Sequence, residues 1–427
     1  MSIGIAGAGR LLAGADPFTA RLLRVVRQAV AIVTWLCVIG SGPIMLAAAA
    51  HFNGNQAFFD FRGGLYNAGV AILHGRPFYA ASFLAHQAAI MHAGGIARGE
   101  LYTNPFSLPV YPALSNVAVV PLALLPFGSA AALFTLLSAA AMVTGVWLLG
   151  VRDPRCLIIS LFSWPFLFGA FLGAVGPFLL LGAAVVWHWR ERAWPCALAL
   201  AAIVAAKIFP WPLGVWLLMR RRYRAAALSV VACLVITVAA WATIGFAGMA
   251  QYPQMLANMS FIQEGRAVSL VTVMLIAGIP SGVAHICAFV VAGLILLAAW
   301  RLSSGPDGDR RAFGLVVIAA LTATPIVWEH YMVLLFIPIA LAAPRLSGLW
   351  MLPLLSPLVE SISRGIIPDS HRVQAYSPNA LRGALLWLAL EAIVALWLCT
   401  TREQRAALPR RLTGRRVDPV CTAAVSA

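Results

Sequence analysis

The stretch "LGVWLLMRRRYRAAALSVVACLVITVAA", Leu213 to Ala240, sets two uncharged apolar runs back to back around a knot of arginines. Carried outward to 195–218 and 225–248, each run approaches the length of a bilayer crossing. A helix of about 20 apolar residues can cross because it pairs its backbone groups within itself. Arginines packed between two such runs mark the cytoplasmic flank of a membrane protein. The stretch therefore predicts an all-α polytopic fold.

The rest of the chain agrees. Its 427 residues are 62% hydrophobic and 10% charged, with a mean hydropathy of +0.89, a balance foreign to soluble domains of this size. The net charge of +16 is carried by arginines at the ends of apolar runs: Arg21, Arg24 and Arg27, the knot at Arg220 to Arg224, Arg310 and Arg311, and "REQRAALPRRLTGRR" from Arg402. This pattern meets anionic lipid, not nucleic acid. Cys37, Cys156, Cys196, Cys233, Cys287, Cys399 and Cys421 stand singly and read as small core residues. The first 20 residues lack a short hydrophobic core and cleavage site, so the first helix reads as retained.

Crossings are predicted near 27–50, 110–126, 129–150, 156–172, 175–190, 195–218, 225–248, 282–302, 312–328, 331–344, 347–362 and 380–401, about twelve in all. The organisation is a cytoplasmic basic N-terminus over 1–26, a transmembrane domain over 27–401, and a cytoplasmic basic tail over 402–427. Alternation from a cytoplasmic N-terminus puts 51–109, 250–266, Glu329–His330 and 363–378 outside. These stretches hold most of the unpaired acids and histidines. No repeat of fixed period and no inverted pair of interrupted helices is visible.

In the outer segment Phe58, Phe61, Leu65 and Ile72 recur at helical spacing, with Asp60, Gly63, Gly64, Asn67 and His74 on another face. This predicts an interfacial helix ended by Gly75 and Pro77. The adjacent glycines suggest a place of close approach, since each costs about 1 kcal/mol in a helix. A carboxylate beside open space suits a hydroxyl group. Asp60 also reads as a cap or as a partner of Arg62, and the residues alone leave both open.

Several motifs here resemble one known family. An aspartate soon after the first crossing is followed by "YNAGVAILHGRPFY" and "NPFSLPVYPALSNVAVVPLALLPF". Later come "AAKIFPWPLGVWLLMRRRYRAA" and "TPIVWEHYMVLLFIPIAL". In order and spacing over residues 25–400 these are similar to glycosyltransferase family 87, GT-C membrane enzymes of bacterial envelopes that use polyprenyl-phosphate sugars. One departure is "LGAVGPFLLL", where the family commonly has an amide-containing run. The resemblance implies a GT-C-like bundle in the bacterial inner membrane. It further implies transfer of a hexosyl or pentosyl group, as by a mannosyl- or arabinofuranosyltransferase, to a glycolipid or glycan hydroxyl, with inversion and with Asp60 as general base.

Such a reaction needs a base for the hydroxyl proton and positive charge for the departing lipid phosphate. His330, by the resemblance, would contact donor phosphate or orient the base, with Glu329 holding its other ring nitrogen; alone it reads as an interfacial histidine. Lys207 is the only lysine. It lies about 13 residues from Arg220, roughly 20 Å along a helix of about 1.5 Å per residue, too far to reach the cytoplasmic interface. It therefore faces the protein interior or a polar cavity, steadying an anionic head group or pairing with a buried acid such as Glu391. Asn67 and Arg266 are further donor-binding candidates; Arg364 and Arg372 are outer cations that also read as lipid anchors.

His86 and His92 do not share a helical face, and no metal motif or nucleotide loop is present. No tightly bound cofactor is expected, although a divalent ion bridging acid and donor phosphate would fit the chemistry. Two alternatives stand beside the enzyme: a transporter or flippase of lipid-linked sugars or small solutes, and a non-catalytic assembly factor of the same architecture.

Overall fold

The computed structural model describes residues 57–79, 85, 111–305, 307–354 and 378–400. The predicted crossing at 27–50, the termini 1–26 and 402–427, His86, His92, Arg364 and Arg372 lie outside the described residues. Every regular element among the described residues is helical.

A π-helix over Asp60–Tyr66 runs into α1 (Asn67–Leu73), which ends at His74 and Gly75 as the sequence predicts. Two short helices follow, α2 (Ala113–Ala118) and α3 (Val120–Ala123). They do not cross. The Tyr66 hydroxyl donates to the Leu125 carbonyl at 2.8 Å, and the Arg62 guanidinium lies 4.5 Å over the Phe127 ring. The chain thus reaches Phe127 on the face from which it left Asp60. The predicted crossing at 110–126 is corrected on this point. Pro112, Pro121 and Pro126 each lack an N–H donor, so no helix over 110–126 grows long enough to span.

The crossing falls to α4 (Phe127–Leu148), a 22-residue helix. Asp153 then caps α5 (Pro154–Leu161), accepting from the Arg155 N–H. Its other carboxylate oxygen accepts from the Leu346 N–H at 3.3 Å, which joins this turn to the segment after Ala342. A bend of 47° separates α5 from α6 (Trp164–Leu172). Phe171 brings the chain back beside Phe58, whose N–H it accepts at 2.7 Å. Gly173 reverses it at φ +71°, a left-handed conformation suited to glycine.

From there α7 (Gly176–His188) descends, α8 (Ala193–Ala206) rises and α9 (Pro212–Met219) descends again. The sequence reads 195–218 as one crossing; the structure makes it a hairpin. Arg190 at its start and Arg222 at its end both bind Asp309, at 3.1 and 3.0 Å, and Arg222 also meets Glu191 at 2.5 Å. Both ends therefore lie on one face. The turn comes where Lys207 leaves helical geometry at φ −155°, ψ 118°, just before Pro210 and Pro212, which cannot donate to a continuing ladder. Alternation through a single crossing would have put Arg190 and Arg192 opposite Arg220 to Arg224. The hairpin reunites them, as lipid charge favours. One traverse is lost at 110–126 and one gained at 193–219, so the number of traverses before Arg220 is unchanged.

The chain continues through α10 (Tyr223–Ala242), α11 (Tyr252–Gln263), α12 (Leu270–Ile276) and α13 (Ser281–Leu302). Then come α14 (Gly308–Ala323), a 3-10 helix over Glu329–Leu335, α15 (Phe336–Ala342), α16 (Gly348–Met351) and α17 (Pro378–Cys399). Among the described residues four helices are long and apolar enough to cross a membrane, in α4, α10, α13 and α17, and five if the bent α5–α6 pair is one span. Helix α14 is buried continuously from Ala312 to Thr322; a helix apolar all round belongs at the centre. Trp216 packs edge-on against its Phe313 at 4.7 Å. By contrast Val230, Leu234 and Val235 on α10 and Ile286, Val290 and Leu294 on α13 stay exposed, apolar stripes suited to lipid.

The molecule thus has two faces. A basic face gathers Arg190, Arg220 and Arg222 around Asp309, with the Arg220 guanidinium also on the Ser303 carbonyl. At the other face the π-helix, the Lys207 turn and the start of the Glu329–Leu335 helix converge.

Candidate functional site

These three elements enclose a cavity of about 600 Å³ lined by Asp60, Lys207 and His330. Nothing in sequence order brings them together: each sits where a helix begins, ends or breaks. Asp60 opens the π-helix, Lys207 ends α8, and His330 follows the extended Trp328.

Asp60 owes its direction to its neighbours. Phe61 and Leu65 are buried, with the Phe61 ring 4.5 Å from that of Phe134. With this side anchored, the carboxylate turns to the cavity. Arg62, its alternative partner, instead covers Phe127. Burial pushes the Asp60 carboxyl up to about 6, against the opposing pull of the Lys207 ammonium.

His330 is 1% exposed, and its Nε2 lies 3.7 Å from the Asp60 Oδ2, beyond hydrogen-bond reach. Neither ring nitrogen has a hydrogen-bond partner. Leaving buried polar atoms unpaired costs about 1–3 kcal/mol each, so this is a site poised to receive donors or acceptors from a ligand. Its backbone is clasped by small residues. A Cβ on Gly176 would come within 2.9 Å of the His330 carbonyl oxygen and of Val333, and one on Gly169 within 3.2 Å of the His330 Cβ. Close packing against His330 is what Gly176 provides here.

Lys207 sits above two aromatic rings, its Nζ 4.4 Å from the centroid of Tyr111 and 5.3 Å from that of Tyr331. Ring faces hold a cation without neutralising it, leaving it able to meet an anion in the cavity. The predicted pairing with Glu391 is absent: that carboxylate accepts from the Thr322 hydroxyl at 3.1 Å.

The structure separates the other predicted site residues from this cavity. Glu329 does not hold His330; its carboxylate takes the Trp164 indole N–H. Asn67 is not among the lining residues. The Asn67 N–H bonds to the Arg62 carbonyl five residues back, and this wider π turn breaks the seven-residue alignment that put Asn67 on the face of Asp60. Arg266 is half-buried in the turn after α11 and does not line the cavity either, whereas nearby Gln263 does. Gln263, Tyr111 and Tyr331 escaped sequence reading. Gln263 lies in a segment read as an outer loop, which folds as α11 with Gln263 buried and its Oε1 unpaired. Only the flanking of Tyr331 by His330 could have signalled it.

The cavity is open at one side. Ile208, Trp211 and Phe289 line it while remaining 50%, 52% and 57% exposed, on the flank where α13 presents its apolar stripe. Among the described residues no group of three His, Cys, Asp or Glu is placed to hold a metal ion.

The arrangement offers a carboxylate with raised proton affinity, a fixed cation and an unpaired imidazole in a pocket with an apolar mouth. A family model described as Glycosyltransferase family 87 matches residues 110–327, just over half of the chain. The matched part includes Lys207 and ends before His330. No curated protein and no solved structure matches the chain.

Proposed function

Because the chain belongs to glycosyltransferase family 87, we propose that its cavity transfers a hexosyl or pentosyl group from a polyprenyl-phosphate donor to an acceptor hydroxyl on the outer face of the membrane, with inversion. The observation that carries this reading is the convergence of Asp60, Lys207 and His330 on one cavity whose mouth is apolar and half exposed. An anionic sugar phosphate and a hydrocarbon chain need those two surroundings side by side.

In this reaction the acceptor hydroxyl gives its proton to the Asp60 carboxylate as its oxygen bonds to the anomeric carbon. The bond from that carbon to the phosphate oxygen breaks, and the electron pair leaves with the lipid phosphate. Lys207 meets the charge that develops there. His330 supplies a ring nitrogen to the phosphate or to the acceptor, satisfying an atom otherwise unpaired. The lipid tail leaves past Ile208, Trp211 and Phe289 into the bilayer.

In this reading about twelve traverses form a GT-C-like bundle in a bacterial inner membrane, with both termini and the Asp309 cluster cytoplasmic and the cavity facing outward; the gathering of Arg190, Arg220 and Arg222 on the face away from the cavity supports that sidedness. The domain reading is a transmembrane unit over 27–401 between basic termini. The acceptor is a glycolipid or glycan, the reaction needs no tightly bound cofactor, and a divalent ion is at most a bridge to donor phosphate.

A specific observation favours one other reading. The break at Lys207 between α8 and α9 resembles the interrupted helices on which transporters place their substrate charges. The test for both is transfer in membranes supplied with labelled polyprenyl-phosphate sugars. A new glycosidic product supports the enzyme; movement of label across the membrane without a new bond supports a transporter or flippase.

A further inference from the structure

A second pocket, of about 340 Å³, lies beside the first on the cavity face, lined by Ile72, Arg76, Phe78, Tyr79, Asn116 and Ala247 among others. One wall links the two. The Tyr79 hydroxyl donates to the Tyr111 carbonyl at 2.6 Å, and Tyr111 lines the larger cavity.

Asn116 defines what this pocket takes. It is 1% exposed, its Nδ2 donates to the Tyr79 hydroxyl at 2.7 Å, and its Oδ1 has no partner. The orientation of the amide follows from counting protons. Tyr79 spends its single hydroxyl hydrogen on Tyr111, so its oxygen must accept, and only the amide nitrogen can donate to it. The atom left over is an acceptor. At the rim, exposed Arg76 makes no ion pair with the described residues and offers only donors.

A ligand that pairs both of these lining residues donates to the Asn116 Oδ1 and accepts from Arg76. An ionised carboxylate or a phosphate diester cannot do the first, and a hydrocarbon does neither. A hydroxyl does both. Ile72 and Phe78 add an apolar surface for the C–H face of a ring. We propose that this pocket binds a neutral sugar ring of the acceptor glycan, beyond the residue whose hydroxyl reacts. The proposal rests on the glycosyltransferase reading for the word acceptor, and on the pocket alone for the word sugar.

The test is equilibrium binding of fluorescent octyl glycosides of neutral mono-, di- and trisaccharides to the full-length protein in detergent, with donor absent. Ala247→Trp fills the pocket from its rim and leaves the Asn116, Tyr79 and Tyr111 chain intact; Thr243→Trp is a second rim variant should the first fold poorly. We expect the wild type to bind di- or trisaccharides at least about tenfold more tightly than monosaccharides, the rim variants to lose that gain, and Gly214→Ala, where an added Cβ meets no atom within 4 Å, to keep it. Absence of saturable binding to every glycoside, or equal affinity in the wild type and a folded rim variant, overturns the proposal. Binding that depends on the rim, with no transfer from any donor, counts against the enzyme reading alone.

Discussion

The Asp60 Oδ2 and the His330 Nε2 face each other at 3.7 Å across the cavity wall, although 270 positions separate them in the chain (330 − 60). The gap is too wide for a hydrogen bond, so the imidazole does not consume the carboxylate's capacity to accept a proton. Lys207, on a third element, opposes the effect of burial on the same carboxylate. The pair and its cation give the site's most direct tests.

Asp60→Asn keeps the shape of the side chain and removes its basicity. Transfer should fall by about 10²–10⁴-fold, the range that a general base contributes, while binding of the donor persists. Labelled product formation together with donor binding at matched expression checks this. Retained transfer would mean that another group takes the proton.

The acid limb of the pH profile should follow Asp60. Its carboxyl, pushed up to about 6 from 3.8, must be ionised to act, so activity should rise with pH through about 6. Lys207 favours the charged form, and Lys207→Met should therefore move that limb to higher pH as well as weaken phosphate binding. The native protein binds more protons than the unfolded chain between the two values, so this group's contribution to stability falls as pH rises through that window. Asp60→Asn should accordingly melt progressively higher than the wild type as pH increases from about 4 to about 7. A Lys207→Met limb unchanged in position would break the proposed coupling.

Gly176→Ala places a Cβ against the His330 carbonyl and Val333, both at 2.9 Å. Since neither is the free end of a long side chain, the clasp must open, at about 1–3 kcal/mol by analogy with overpacked cores. Thermal unfolding should register the loss, and turnover should drop more than donor binding. Gly214→Ala, where no atom lies within 4 Å of the added Cβ, is the matched control and should leave turnover nearly unchanged.

The 193–219 hairpin predicts sidedness. In a background without native cysteines, Arg192→Cys and Arg221→Cys, both exposed, should react with an impermeant maleimide from the same side of sealed vesicles. Ser129→Cys, exposed just after Phe127, should react from the opposite side. A split between the two arginine positions would restore the single crossing at 195–218.

The sequence by itself determined the solvent of this protein and its polarity. Apolar runs near bilayer length and arginines at their ends permit only helices in lipid with basic flanks on one side, because unpaired backbone and charge are both costly there. Asp60 and His330 stood out through the family resemblance, and Lys207 as the only lysine, set too deep to reach the basic flank. Only the tertiary structure decided which runs traverse. The uncharged run at 110–126 is divided by prolines into pieces that stay on one face, whereas 193–219 folds back at Lys207, and hydropathy averages over both kinds of break. Tertiary packing likewise excluded Asn67, Glu329 and Arg266 from the cavity and brought in Tyr111, Tyr331 and Gln263. A π turn, an indole donor and a helix inside a polar stretch change where side chains point without changing the residues, so composition and spacing carry no trace of them.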